Sequence, residues 1–280
     1  MNMIDVKGLC KTYKDFSLND VSFSVPKGFI MGFIGENGAG KTTTIRSILG
    51  MSAYENGECL IMGKNAVNEP NVKQDVGVVF DELFFHQHLN PNQIELQIKG
   101  FYDNWDSKVY HKYLKKFGLP EKKKLSAFSR GMRMKMMLAV ALSHDAKILI
   151  LDEPTSGLDP VARDELLEIL LEFISDGERS VLFSTHITSD LERIADYLTV
   201  ISDGKIIYSG TKDDLFEKYV IIKGINTYMT EDLRQKCIGF SATKDTFEAM
   251  LDTEYLNLLS TEIDYENCSF DELLVFISRN

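Results

Sequence analysis

FIGENGAGKTTTIRSILG, residues 33–50, places Gly35, Gly38 and Gly40 within six positions and follows them at once with Lys41 and three threonines. Glycine loses more backbone freedom on ordering than any other residue, so three inside one regular element would be costly. A ligand that bare backbone must approach closely offsets that cost. Gly35 to Thr42 fits G-x-x-x-x-G-K-[ST], with the apolar run FIMGFIG before it and a helical stretch from Lys41 to Leu49 after it, stopped by Gly50. In that context the loop amides and the helix N-terminus converge on an anion, and the helix dipole adds partial positive charge. The expected cradle is Gly35, Asn37, Gly38, Gly40, Lys41, Thr42 and Thr43. Lys41 supplies a full charge to the terminal phosphates and the Thr42 hydroxyl is a Mg²⁺ ligand, so the loop binds a nucleoside triphosphate.

The next strong signal lies more than a hundred residues downstream. KILILDEP (Lys147–Pro154) is an apolar strand that ends in two acids, Asp152 and Glu153. Ligands of open α/β sheets sit at the carboxyl ends of the strands. Asp152 is placed to hold Mg²⁺, and Glu153 to orient and deprotonate an attacking water. Phosphoryl transfer asks mainly for charge neutralisation and positioning, so these groups suffice for hydrolysis.

Between and around these motifs the chain reads as an α/β protein. Residues 1–35 are β-rich, and VGVVF (Val76–Phe80), SVLFSTH (Ser180–His186) and LTVISDGKIIYSG (Leu198–Gly210) supply further strands. Asp159 and Pro160 open a helix that runs to about Ile174, as N-cap and first helical residue. Strand–helix alternation with continuously apolar strands indicates a parallel sheet covered on both faces. From about residue 82 to 145 aromatics, lysines and helical spacing dominate, which marks a helical insertion. After Lys212 a small α+β tail follows, its last helix opened by the capping box Ser269-Phe270-Asp271-Glu272.

Bulk properties exclude several function classes. The 280 residues, 44% hydrophobic and 26% charged, are those of a globular protein with a sizeable core. A net charge of −11 argues against nucleic acid as the main partner. Residues 213–280 hold fourteen acidic and six basic side chains, so the tail is a poor match for anionic lipid. The segment Lys112–Lys135 has nine basic residues and one acid and reads as a solvated helical face. The four cysteines form no CxxC pair and read as free thiols in a reducing compartment. The N-terminus lacks an apolar core of signal-peptide length, and no run approaches the roughly 20 apolar residues of a membrane span. The methionines near 134 read as packing residues, and His86, His88, His111 and His144 as structural or exposed.

As a set these motifs resemble the ATP-binding-cassette (ABC) ATPases over about residues 3–212. AFSRGMRMKMMLAVAL (Ala127–Leu142) is similar to that family's signature segment, LSGGQ before a helix. Ser129 and Gly131 keep the residues that in the family contact the γ-phosphate; Arg130 and Met132 depart from the pattern. The resemblance implies that Tyr13 stacks on adenine, that Ser156 to Asp159 form the D-loop, and that His186 is the switch histidine. Asp81 stands where the family has a glutamine that touches Mg²⁺, and is expected as a third metal contact beside Thr42 and Asp152.

The implied architecture is a P-loop NTPase cassette, residues 1–212, with a mainly parallel core sheet, an N-terminal antiparallel β subdomain and a helical subdomain at about 82–145. A C-terminal extension covers 213–280. The implied activity is ATP hydrolysis, with ATP and Mg²⁺ as cofactors. It powers a separate integral membrane permease, in the subgroup serving export or resistance to drugs or peptides. The resemblance also implies two cassettes facing head to tail, each ATP clasped between Lys41 of one chain and Ser129 of a second copy or a sister ATPase. The chain is expected in the cytoplasm, peripheral at the inner face of the cell membrane through the permease. A soluble ABC protein of translation or DNA maintenance is the alternative, but those carry two cassettes or long coiled coils.

Overall fold

Apolar runs of different period divide the chain into layers, as seen in a computed structural model that describes residues 1–82 and 84–278. β1 (Asn2–Thr12) and β2 (Ser17–Pro26) pair antiparallel, and their alternating residues put Ile4, Val6, Leu9, Val21 and Val25 on a buried face. β3 (Ile30–Ile34) is buried at every residue and enters the glycine loop, and α1 (Lys41–Ile48) leaves it. β4 (Asn56–Ile61) returns to the other edge of β1, completing a three-stranded antiparallel sheet.

The central sheet is assembled from distant segments. β5 (Val76–Val79) precedes a helical stretch of α2 (Pro91–Ile98), α3 (Ser107–Lys116) and α4 (Arg130–Ala141). Each helix is started by a local cap: Asn90 with Gln93, Asp106, and Ser129. β6 (Ile148–Asp152), α5 (Pro160–Ile174), β7 (Ser180–Thr185), α6 (Thr188–Ile194), β8 (Tyr197–Ser202) and β9 (Lys205–Thr211) complete the layer. The strand order is β5-β6-β7-β3-β8-β9, with all pairings parallel except β8 with β9. LTVISDGKIIYSG is thus a hairpin, turned at Asp203 and Gly204, which both have positive φ (44° and 72°) as a two-residue primed turn requires.

The pleat sends alternate residues of the central strands to opposite faces. Leu149, Leu151, Val181 and Phe183 join the cluster on the side of the helical segment. Ile148, Ile150 and Leu182 join the one beneath the antiparallel sheet. This double coverage is why the strands lack polar alternation.

Beyond β9, α7 (Lys212–Lys218), β10 (Tyr219–Ile225), α8 (Glu231–Lys236), β11 (Cys237–Ala242), β12 (Thr246–Asp252), β13 (Asp264–Asn267) and α9 (Phe270–Ser278) form the tail. Its antiparallel sheet has the order β11-β12-β10-β13 and a small core of its own around Val220, Phe247 and Leu251. The other face of that sheet and α9 pack into the main cluster through Ile221, Met250, Phe270 and Phe276. The capping box forms: Glu272 N–H donates to Ser269 Oγ at 3.3 Å, and Ser269 N–H to Glu272 Oε2 at 2.9 Å.

Candidate active site

The glycine loop has the geometry its composition requires. Gly38 and Gly40 stand at φ 89° and 114°, conformations that side-chain-bearing residues rarely adopt. A Cβ on Gly40 would fall 2.6 Å from Leu18 Cδ2, and one on Gly35 2.3 Å from the Ile201 carbonyl oxygen. At Gly38 a Cβ would meet nothing within 4 Å, so the space above that residue is open. α1 begins at Gly40 with no side chain capping it, which leaves its first-turn amides available to an anion. A cavity of about 400 Å³ lies over the loop, lined by Tyr13, Asn37, Gly38, Lys41, Thr43 and Glu153 among others. That is the size of a small-molecule site.

Lys41 is buried, and its ammonium donates to the carbonyls of Gly35 (2.6 Å) and Glu36 (3.1 Å) while standing 3.1 Å from Glu153 Oε1. The Thr42 hydroxyl donates to Asp152 Oδ2 at 2.6 Å, and the Ser184 hydroxyl to Asp152 Oδ1 at 2.5 Å. Asp152 is itself buried, and among the described residues no lysine or arginine is paired with it. A buried carboxylate beside a threonine hydroxyl is the hard-oxygen donor set that suits Mg²⁺, so the residues present fit the ion. On the other side of the same edge, Glu153 Oε2 lies 2.7 Å from His186 Nδ1.

Tyr13 is half exposed at the mouth of the cavity, with the Lys11 ammonium 4.8 Å from its ring centroid. A hydrogen bond with Ser52, aided by the Lys11 charge, holds its hydroxyl below the usual tyrosine pKa. Asp159 caps α5, accepting from the amides of Val161 and Ala162 at 3.1 Å each. Ser129 caps α4 by accepting from Met132 N–H at 3.2 Å, and Gly131 follows in its first turn. Neither Ser129 nor Gly131 lines the cavity over the glycine loop of its own chain.

Asp81 is not among the residues that line the cavity over the glycine loop. It lines a neighbouring cavity with Glu82, Arg130 and Arg133, and its carboxylate accepts from the Arg130 guanidinium. Sequence reasoning missed this pair and missed Ser184. Ser184 stands in register with Asp152 across the parallel pair β6–β7, a relation that only the fold reveals. A second cavity, of about 270 Å³, separates Gly35 and His186 from Asp271 and Val275 of the tail helix.

Of the other histidines, His86 and His88 are exposed and stack on each other, while His111 and His144 have partners within the fold. His111 bridges Glu95 (3.1 Å) and Glu121 (3.4 Å), and buried His144 has Nδ1 3.1 Å from the Gln74 carbonyl. Among the described residues no group of three or more His, Cys, Asp or Glu side chains is gathered as for a metal ion, and no helix is long and apolar enough to cross a membrane.

The glycine cradle, the buried lysine and the paired acids have counterparts in known proteins. Residues 18–156 match the ABC transporter family model. The lantibiotic transport ATP-binding protein SrtF of Streptococcus pyogenes is 32% identical over 230 residues, covering 79% of this chain and 99% of that protein. The chain belongs to the ABC transporter family. Within it, this is an ATP-binding and ATP-hydrolysing subunit. The bacitracin transport ATP-binding protein BcrA of Bacillus licheniformis is 32% identical over 212 residues, or 73% of this chain and 68% of that one. A solved structure, the ATP binding subunit of an ABC transporter, superposes with a TM-score of 0.69 at 29% identity, over 76% of this chain and 91% of the other.

Proposed function

We propose that this ABC ATPase drives a separately encoded membrane permease that exports, or confers resistance to, peptide antibiotics, from the inner face of the cell membrane. The family relatives that carry lantibiotic and bacitracin transport names support the substrate class. The observation that carries the permease partner is an apolar cavity of about 190 Å³ between the central sheet and the helical segment. Met51, Phe80, Phe84, Ile98, Tyr102 and Met137 line it, with Met51 and Phe84 more than half exposed. Exposed aromatic and methionine side chains around a concave apolar site suit the apolar face of a short helix from a partner.

Within the site, Lys41 and the first-turn amides of α1 hold the phosphates. Thr42 and Asp152 hold Mg²⁺, with Ser184 fixing the carboxylate from behind. When bound, the ion neutralises charge on the terminal phosphates. Glu153 orients the attacking water and takes its proton, and His186 fixes the carboxylate that does so. Tyr13 offers its ring to the adenine. Ser129 and Gly131 do not line their own chain's cradle, which supports a twofold pair in which they reach the γ-phosphate of the other copy, with Asp159 at the seam. A sister ATPase in place of the second copy would serve equally.

The test is reconstitution with a candidate permease in vesicles. Stimulated ATPase activity that Phe84→Asp abolishes, while the isolated subunit keeps its basal turnover, is the expected result. Full stimulation of the Phe84→Asp protein, or no binding to any permease encoded beside it, would overturn the assignment.

A further inference from the structure

The tail helix covers a cavity that the candidate nucleotide site does not use. Phe270, Leu273 and Phe276 hold α9 in the main core. Asp271 and Val275 are four residues apart on the same helix, so they share another face. Both line the cavity of about 270 Å³ at the carboxyl edge of the central sheet. Ile34 and Val200 stand in register there, near the ends of the neighbouring parallel strands β3 and β8. With Ile201 they form an apolar floor. His186, whose Nδ1 lies 2.7 Å from Glu153, belongs to the opposite wall from α9. Open α/β sheets bind their ligands at this edge.

Size and charge narrow the occupant. An apolar cavity of about 150 Å³ takes a benzene ring, so one of 270 Å³ has room for two fused rings. Its lining carries two carboxylates, Glu36 and Asp271, and neither a lysine nor an arginine. Both acids are exposed, and among the described residues neither has a cationic partner. A cation with an apolar body satisfies the whole lining. Its rings leave water for the floor, and its charge-assisted hydrogen bonds go to the carboxylates. An anion of the same shape would meet like charge.

We propose that this cavity binds a small organic ammonium ion with an apolar body of about two rings, its charge met by Glu36 and Asp271. Glu36 lines the cavity over the glycine loop as well, so the two sites are neighbours. The new one is built in part from a helix far outside residues 18–156, which the family model matches.

Naphthylmethylamine titrated into the full-length protein, followed by calorimetry, tests the site. A dissociation constant of about 0.1–1 mM is expected for a probe of that size. The alcohol of the same shape, naphthylmethanol, is expected to bind about twofold to tenfold more weakly, and naphthoate not measurably. Asp271→Asn is expected to weaken the amine about twofold to fivefold, the scale of one exposed charge pair, and to leave the alcohol unchanged. Val275 is 42% exposed, so Val275→Trp can fill the cavity without disturbing the core. It is expected to abolish binding of both probes at an unchanged melting temperature. Phe84→Asp, at the other apolar cavity, is expected to change neither. The amine is also expected to bind when a non-hydrolysable ATP analogue saturates the cradle. No saturable binding of the amine, equal affinity for naphthoate, full binding to Val275→Trp, or displacement by the analogue would overturn the proposal. Should the analogue itself fail to bind, the cradle reading fails, and the amine titration without nucleotide still decides this site.

Discussion

The Glu153 carboxylate is held from both sides, Oε2 at 2.7 Å from His186 Nδ1 and Oε1 at 3.1 Å from the Lys41 ammonium. Its backbone stands at φ 51°, a left-handed conformation that costs a residue with a side chain about 1–2 kcal/mol. The peptide there is fixed by Glu153 N–H donating to the Ser184 carbonyl at 3.0 Å. Strain kept at a strand end beside a phosphate cradle is the mark of a functional constraint.

Glu153→Gln keeps the size of the side chain and removes the base. Steady hydrolysis is expected to fall by at least about a hundredfold, the range of a lost general base. ATP affinity is expected to change little. Phosphate release and equilibrium binding of labelled ATP measure the two separately, and unchanged turnover would remove Glu153 from the catalytic role.

Ser184→Ala leaves one oxygen of buried Asp152 without its 2.5 Å donor. Hydrogen bonds to charged groups contribute about 1.5–3 kcal/mol. Urea unfolding in the presence of EDTA is expected to show a loss of that order. Equal stability of the two proteins would mean that the hydroxyl is dispensable to Asp152.

Gly38 and Gly40 separate fold from ligand. Gly40→Ala combines φ 114° with contacts at 2.6 Å to Leu18 and 2.9 Å to Phe16, so both melting temperature and ATP binding are expected to fall. Gly38→Ala meets no atom within 4 Å. It is expected to cost about 1 kcal/mol of stability for its positive φ, yet to weaken ATP at least about tenfold by filling the space of the phosphates. Calorimetry of both variants with and without ATP reads the difference.

This contrast also shows what was legible in the sequence. Gly35, Gly38, Gly40, Lys41 and Thr42 could be read because one loop supplies both the backbone shape and the charge. The strand through Asp152 could be read because burial on two faces leaves an uninterrupted apolar run. Ser184 and the Asp81–Arg130 pair could not, since each depends on which strands lie side by side or on where a long side chain crosses a turn. β4, with three exposed residues in six, carried too weak an alternation to stand out.

His144 gives a pH dependence. Its ring is stacked on Tyr102 with centroids 4.0 Å apart, and Nε2 is buried without a partner. Burial holds its pKa below the usual imidazole value, outweighing the Gln74 carbonyl and the nearby acids. Below about pH 6.5 the unfolded chain therefore takes up a proton that the folded one resists. Stability is thus lost as the pH falls through that value. His144→Gln lacks this component, so the stability gap between the two proteins is expected to narrow from about pH 7.5 to 5.5 in urea unfolding. A constant gap would mean that His144 does not titrate differently in the two states.

The shared site is tested most directly by the mass of Glu153→Gln protein in ATP and Mg²⁺, measured by light scattering after gel filtration. The expected result is a dimer that reverts to monomer when ATP is withdrawn, and that Ser129→Arg prevents from forming. A strictly monomeric Glu153→Gln protein with ATP bound, alongside an unsubstituted protein that hydrolyses ATP as fast when dilute as when concentrated, would contradict a site completed by Ser129 of a second copy.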